Sequence, residues 1–348
     1  MRDMKEQMTE RALALLQEAG FQTSDCRLVR SCFDILAGKD EAILLIKIHV
    51  NIEGLTSRSA SELRNVAAAM SATPLIIGDH MKNARLSSDV IYTRYDIHVL
   101  SLGAFAEMMN QEMPLVYSIR GNYCMRINPG LLTEVRKKAN MTQDDLACEI
   151  GVSAQSIHRY ESTGRISLEI AEKLMDFLKQ DMAVPGDIFS SEIRYLESEI
   201  SMHMTELKRV AYKELSNMGL DPSLTNAPFD ILAVEKEHGQ KILTLVTDDL
   251  KGLHRRVEII KEISEMTGYR RVCISNRAHN VDVVVIKPKD LPGIKAAGES
   301  RQERTDQEGP GLYFFNGHPK GLGGHFILGN RPEAQSGCRA GEPRIHQQ

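Results

Sequence analysis

The chain lacks a surplus of charge of either sign: 43 lysine and arginine residues stand against 47 aspartate and glutamate, a formal net charge of −4. That balance excludes a histone-like polybasic protein and an acidic disordered chain, so any contact with nucleic acid has to come from a local patch. Cys26, Cys32, Cys124, Cys148, Cys273 and Cys338 are scattered without a C-x-x-C pair. Nothing marks the disulfide ladder of a small secreted domain, and free thiols in a reducing cytosol are the simpler reading. No run approaches the roughly 20 apolar residues of a membrane span. The opening MRDMKEQMTERALALLQEAGF mixes charged and apolar residues at helical spacing, without the apolar core of a signal peptide. Gly-x-Ser-x-Gly, Walker and dinucleotide fingerprints are absent, and GLGG near Gly321 precedes no helical pattern. His49, His80, His98 and His158 have no metal-ligand spacing, so neither a metal nor a cofactor is expected. These exclusions describe a cytoplasmic protein without membrane contact.

What is present is enough apolar residue, 42% of 348, for two or three domains. An internal repeat organises them. FDILA at 33–37 leads to a polar hairpin and the strand-type run ILLIKI, and FDILA at 229–233 leads to ILTLV. Each copy follows a helical pattern (RALALLQEAGF; ELKRVAYKELSNMGL) and precedes another (SASELRNVAAAMSA; HRRVEIIKEISEMTG), which ends in a strand (PLIIGD; RRVCISN). The order helix, strand, turn, strand, helix, strand thus occurs twice, as in a duplicated α/β domain. Between the copies, YSIRGNYCMRINP reads as a short hairpin and is followed by helical sequence. EIRYLESEISMHMTELKRV then reads as one long amphipathic helix, able to connect to the second copy or to pair with a symmetry mate.

The informative stretch runs from Leu131 to Leu178. Thr142 is placed to cap a helix with Asp145 three residues on, Gly151 to make a tight turn, and Ser153 to cap the next helix, which Gly164 closes. Leu146, Ala147, Ile150, Gly151, Val152, Ile157 and Tyr160 fall at the packing positions of a helix-turn-helix. With these residues the segment resembles the Cro/lambda-repressor type of helix-turn-helix domain. The resemblance implies four helices and a fifth element near VPGDIFS. It also implies that Gln143, at a helix N-terminus, anchors a phosphate. The N-terminal face of the third helix would then read the major groove of double-stranded DNA through Ala154, Gln155, Ser156, His158 and Arg159, with Ser153 as cap and phosphate contact. Gln155 suits adenine, Arg159 guanine or phosphate, and Ala154 a thymine methyl. Nine lysine and arginine residues against eight acids over 117–180 give a weak field, which favours a homodimer on two half-sites.

The repeated α/β order with its shared Phe-Asp looks like the restriction-endonuclease-like fold. Active members hold Mg²⁺ with an aspartate on one strand and an acid-x-Lys on the next. Asp34 and Asp230 fit the first role, but apolar Leu45 stands two positions before Lys47, where the acid belongs, and the second copy aligns Thr244 and Val246. Asp34 and Asp230 then read as cap or turn residues in non-catalytic copies serving as scaffold, dimer interface or sensor of a small-molecule effector. The expected fold is therefore α+β and multidomain: an N-terminal α/β domain (1–116), an all-α five-helix domain (117–190), a long helix with the second α/β copy (191–298), and a Gly- and Pro-rich disordered tail (299–348). Over residues 1–298 this combination resembles an archaeal family of HTH-type transcriptional regulators, with no enzymatic activity implied. Two other readings stay open: a DNA-processing, nuclease-like enzyme targeted by the helix-turn-helix, and a protein-interaction module.

Overall fold

A computed structural model describes residues 3–186, 188, 204–235 and 239–291. The disordered-tail expectation for 299–348 lies outside these residues, as does most of the expected long helix. In chain order the elements begin with α1 (Met4–Glu18), β1 (Gln22–Asp25), β2 (Ile35–Lys39), β3 (Ala42–Asn51), α2 (Ser57–Met70) and β4 (Thr73–Met81). Next come β5 (Ala84–Arg85), β6 (Val90–Arg94), β7 (Ile97–Ser101), α3 (Leu102–Met109), β8 (Val116–Ile119) and β9 (Asn122–Arg126). The helical segment holds α4 (Pro129–Lys138), α5 (Gln143–Ile150), α6 (Ala154–Thr163), β10 (Arg165–Ser167) and α7 (Leu168–Leu178). The second copy holds α8 (Glu206–Asn217), β11 (Leu220–Leu224), β12 (Ile231–Glu235), β13 (Lys241–Val246), α9 (Leu253–Thr267), β14 (Arg270–Ile274) and β15 (Val285–Ile286).

The duplication is visible in the pairing. β1, β2 and β3 are antiparallel and β3 runs parallel to β4. β11, β12, β13 and β14 repeat that pattern. The leading strands β1 and β11 are additions to the expected order. QTSD and LDPSL are short and at most partly apolar, and Pro222 is tolerated because β11 is an edge strand. Strand alternation explains why FDILA recurs. Ile35 and Ala37 face a core with α1 and α3, as Ile231 and Ala233 face one with α8. Leu36 and Leu232 point the other way, into one core shared by both copies, and Phe33 and Phe229, just ahead of the strands, pack into the same core. Helices α2 and α9 fill that shared core, and cross-copy hydrogen bonds tie it: Asn226 Nδ2 to Glu62 Oε2 (2.8 Å), Tyr269 O–H to the Met70 carbonyl (2.7 Å) and Cys32 N–H to the Asn226 carbonyl (2.6 Å).

Asp34 and Asp230 are buried side chains, not cap or turn residues. Asp34 Oδ2 accepts from the Ile48 N–H (2.8 Å), and its Oδ1 meets Lys5 Nζ at 2.9 Å and Lys47 Nζ at 3.4 Å. Asp230 Oδ2 accepts from the Val246 N–H (2.8 Å), with Lys208 and Arg256 each at 2.7 Å from the carboxylate. A buried carboxylate needs such partners, and here it clamps the following strand from the side. The same registers correct the alignment of the copies. Ile46 pairs with Ile35 as Thr244 pairs with Ile231, so Leu243 and Leu245, rather than Thr244 and Val246, correspond to Leu45 and Lys47.

The helical segment is not all-α. The expected hairpin is present as β8 and β9, and β10 pairs antiparallel with β9. The ten-stranded sheet therefore runs in the order β1-β2-β3-β4-β7-β6-β8-β9-β10 from the first α/β unit into the helical one, with β5 paired to β4. β10 is three residues long and carries no alternation long enough to show in the sequence. Four helices stand among the described residues of this segment. Residues 184–186 are non-helical, and the fifth element expected near VPGDIFS lies partly outside the described residues.

Replacing Asp34 or Asp230 with alanine strands two cations and one strand N–H, and each change is expected to cost about 3 kcal/mol. Urea denaturation of the full chain measures this, and an unchanged midpoint contradicts the clamp.

Candidate nucleic-acid interface

Local chemistry sets each bend of the helical segment. Thr142 and Asp145 form a reciprocal capping box at the start of α5, the Thr142 oxygen accepting from the Asp145 N–H at 3.1 Å and Asp145 Oδ2 from the Thr142 N–H at 2.8 Å. Gly151 ends α5 in the left-handed region (φ 78°), and Ser153 Oγ accepts from the Ser156 N–H at 3.2 Å to start α6. Gly164 ends α6 at φ 65°, and a Cβ there would lie 2.4 Å from the Ile127 carbonyl oxygen. Only glycine permits that approach, which lets the Gly164 carbonyl accept from the Ile127 N–H at 2.9 Å and β10 join the sheet.

Leu132, Leu146, Ala147, Ile150, Ile157, Tyr160, Ala171 and Leu174 form the core of the segment. Among its described residues the one buried ion pair is Arg136–Glu161, in which the Arg136 Nε and Nη2 donate to the two Glu161 oxygens at 2.6 and 3.1 Å. Arg136 Nη1 also donates to the Met141 carbonyl, and both side chains are over 90% buried. Burial pushes the Glu161 carboxyl up, but hydrogen bonds from Arg136 and Gln143 outweigh it and hold the carboxyl below its ordinary range. This pair went unremarked in the sequence. The available signal was spacing: Arg136 lies four residues after buried Leu132, on the apolar face of α4.

The expected interface residues separate into three groups. Gln143 is half-buried, and its Nε2 donates to Glu161 Oε2 at 2.6 Å, so its amide nitrogen is committed within the fold. Ser153 and Ser156 share a hydroxyl contact of 3.0 Å beside the cap, and Ala154 packs partly against the core. Gln155, His158 and Arg159 are exposed on one side of α6, opposite buried Ile157 and Tyr160. Among the described residues Gln155 has no side-chain hydrogen bond and Arg159 no carboxylate partner; the Arg159 guanidinium stacks 5.3 Å from the Tyr160 ring. The result is a short helix with a fixed back and a free polar front.

The nuclease-type metal requires a different donor set. A divalent ion held by this fold needs at least a second carboxylate beside Asp34. Here Leu45 occupies that position, fully buried in the shared core, and two ammonium groups already face Asp34. In the second copy Leu243 and Leu245 stand at both positions, with Lys208 and Arg256 against Asp230. The residues present do not fit a divalent ion in either copy. Among the described residues, no group of three or more histidine, cysteine or acidic side chains is arranged to hold a metal, and no helix is long and apolar enough to cross a membrane. The five described cysteines are free, and burial raises the Cys32 thiol to about 12 and the Cys273 thiol to about 11.

Fold and site thus define a chain that joins a nuclease-type α/β unit to a helix-turn-helix. The comparisons agree. A PD-(D/E)XK superfamily domain matches residues 5–114 and a helix-turn-helix family matches residues 132–184. A "putative HTH-type transcriptional regulatory protein" of Pyrococcus furiosus is 30% identical over 294 residues, covering 82% of this chain and 93% of the relative. One of the same description from Thermococcus kodakarensis is 30% identical over 303 residues, 85% and 94% of the two chains. Another, from Methanocaldococcus jannaschii, is 29% identical over 295 residues, 82% and 92%. No solved structure matches. The chain belongs to this family of archaeal HTH-type regulatory proteins.

Removing one member of the buried pair, as in Arg136→Met, is expected to destabilise the helical segment by about 3–5 kcal/mol. The pair also sets a pH dependence. Because the folded carboxyl of Glu161 titrates below the unfolded one, its contribution is complete above the ordinary glutamate value of about 4.3 and disappears as pH falls through the folded value. Glu161→Gln should therefore be less stable at neutral pH yet lose less between pH 7 and the acid range. Parallel acid-loss curves for variant and parent contradict this.

Proposed function

We propose that the chain is a sequence-specific DNA-binding transcriptional regulator that enters the major groove with the N-terminal face of α6. The observation that supports this most is the exposure of Gln155, His158 and Arg159, whose side chains have no hydrogen bond or ion pair among the described residues, on a helix whose opposite face is locked by Ile157, Tyr160 and the Arg136–Glu161 pair. Gln155 offers a bidentate contact to adenine and Arg159 one to guanine or phosphate, each worth about 1–3 kcal/mol of discrimination. Ser153 and Ser156 sit where the backbone approaches the helix N-terminus, and Ala154 presents part of its methyl. Gln143 serves best as a brace with its amide nitrogen on Glu161, while its main-chain N–H, in the first turn of α5, is the group offered to a phosphate.

The chain acts in this reading as a cytoplasmic homodimer on a near-palindromic operator with half-sites about 34 Å apart. Weak net charge over the helical segment makes one copy a modest binder and two copies an effective one. The division at residues 116, 190 and 298, the five-helix count and the assignment of the second copy as restriction-endonuclease-like belong to the same proposal. The repeat of strand order, register and aspartate clamp supports the last of these. The two α/β copies are non-catalytic scaffold, since each aspartate is neutralised by side-chain cations and lacks a second carboxylate.

A genomic binding selection with the full chain is expected to return a short inverted repeat. Gln155→Ala should relax preference at one base position of each half-site, while Gln143→Ala, acting through the brace, should weaken all sites about equally. Identical effects of the two changes would contradict the groove assignment. Plasmid incubated with the protein and Mg²⁺ or Mn²⁺ should stay intact, and cleavage abolished by Asp34→Ala would reinstate the nuclease reading.

A further inference from the structure

Beside the C-terminal end of α6 lies a cleft of about 470 Å³ that the reading above does not use, lined by Arg126, Asn128, Pro129, Thr163, Arg165 and Val184 among others. Its only ionisable lining groups are the two arginines, and they are directly opposite each other in the β9–β10 register. Side chains opposite one another across antiparallel strands project from the same face, and like charges there repel. Both arginines are exposed. Among the described residues the ion pairs of this segment join Arg136 to Glu161, Lys138 to Glu134 and Lys173 to Glu169, and none of them reaches Arg126 or Arg165.

Internal chemistry does not account for the pair. Arg126 lies 5.8 Å from the Tyr117 ring, an attraction that holds the guanidinium without neutralising it. Asn128, on the lining, caps α4 by accepting from the Leu131 N–H through Oδ1, and among the described residues its Nδ2 donor has no partner. The Thr163 hydroxyl donates to the Arg159 carbonyl and accepts from the Arg165 N–H, which ties the start of β10 to the end of α6. Two guanidinium forks and an amide donor, with no carboxylate on the lining, make a receptor for a phosphate group.

We propose that the Arg126–Arg165 pair binds the DNA sugar–phosphate backbone, extending the protein–DNA contact from the helices onto the sheet. The inference rests on the groove reading above and adds a second, strand-borne contact to it. Because β9 and β10 are the last strands of the sheet that begins in the first α/β unit, the contact also fixes that unit's orientation on the duplex.

The test uses the full chain and a mixed-sequence duplex of about three helical turns, with affinity measured by anisotropy across a salt series. Arg126→Gln and Arg165→Gln should each lower the log–log salt slope by about 0.9, and the double variant by about 1.8, with equal loss on all sequences. Arg→Lys at either site should retain the slope. The thermal midpoint of the double variant should stay close to the parent's, since relief of the Arg126–Arg165 repulsion offsets the lost Arg126–Tyr117 attraction; a clear fall would assign the pair a structural role and overturn the proposal. A parent that binds with an unchanged slope in the double variant overturns this contact alone, whatever Gln155→Ala does. A parent that binds no duplex at low salt overturns both. Tripolyphosphate serves as the free-ligand probe: stabilisation of the parent but not of the double variant, with the DNA slope unaltered, would make the cleft a site for a free phosphate compound and overturn the backbone assignment.

Discussion

The buried Arg136–Glu161 pair is the interaction on which the interface depends. An arginine and a glutamate removed from water this completely are tolerated only if nearly every donor and acceptor is used, and here the Met141 carbonyl and the Gln143 amide complete the set. The consequence is positional. The pair fixes α6 against α4 and, through Gln143, against the start of α5, so rotation of α6 about its axis is blocked. Ile157 and Tyr160 then stay inside and Gln155, His158 and Arg159 stay outside.

A second constraint links this helix to the remainder of the chain. Gly164 gives α6 an end so close to Ile127 that the next three residues become a sheet strand. The helix-turn-helix is accordingly the terminus of a ten-stranded sheet and not a bead on a linker. The α/β units are joined by a shared apolar core, in which Leu45 and Leu243 pack at the positions where an active nuclease would carry its second carboxylate. Leu45 and Leu243 carry no donor atom for a metal, and their burial places them in the apolar core that joins the two copies.

Much of this was legible in the residues. The FDILA repeat, the capping residues Thr142 and Ser153, and the turn glycines Gly151 and Gly164 act through local chemistry, and each appears where local chemistry places it. Three kinds of feature were not legible. Strands β1, β10 and β11 are three to five residues long and partly polar, and they exist only because a neighbouring strand offers a free edge. Asp34 and Asp230 looked like turn residues because their cations come from Lys5, Lys208 and Arg256, tens of residues away in sequence. Gln143 showed its helix N-terminus but not its hydrogen bond to Glu161, a partner 18 residues on. Periodicity reports which face is buried; it does not report which polar groups meet across the fold.

The central claim is that the outward face of α6 lies against base edges. It is tested most directly by a photoreactive side chain placed at position 155 of the full chain, followed by mapping of the crosslinked nucleotide on bound genomic fragments. The account predicts crosslinks to one base position in each of two symmetric half-sites. Crosslinks confined to the protein itself, or spread evenly along the duplex, would contradict it.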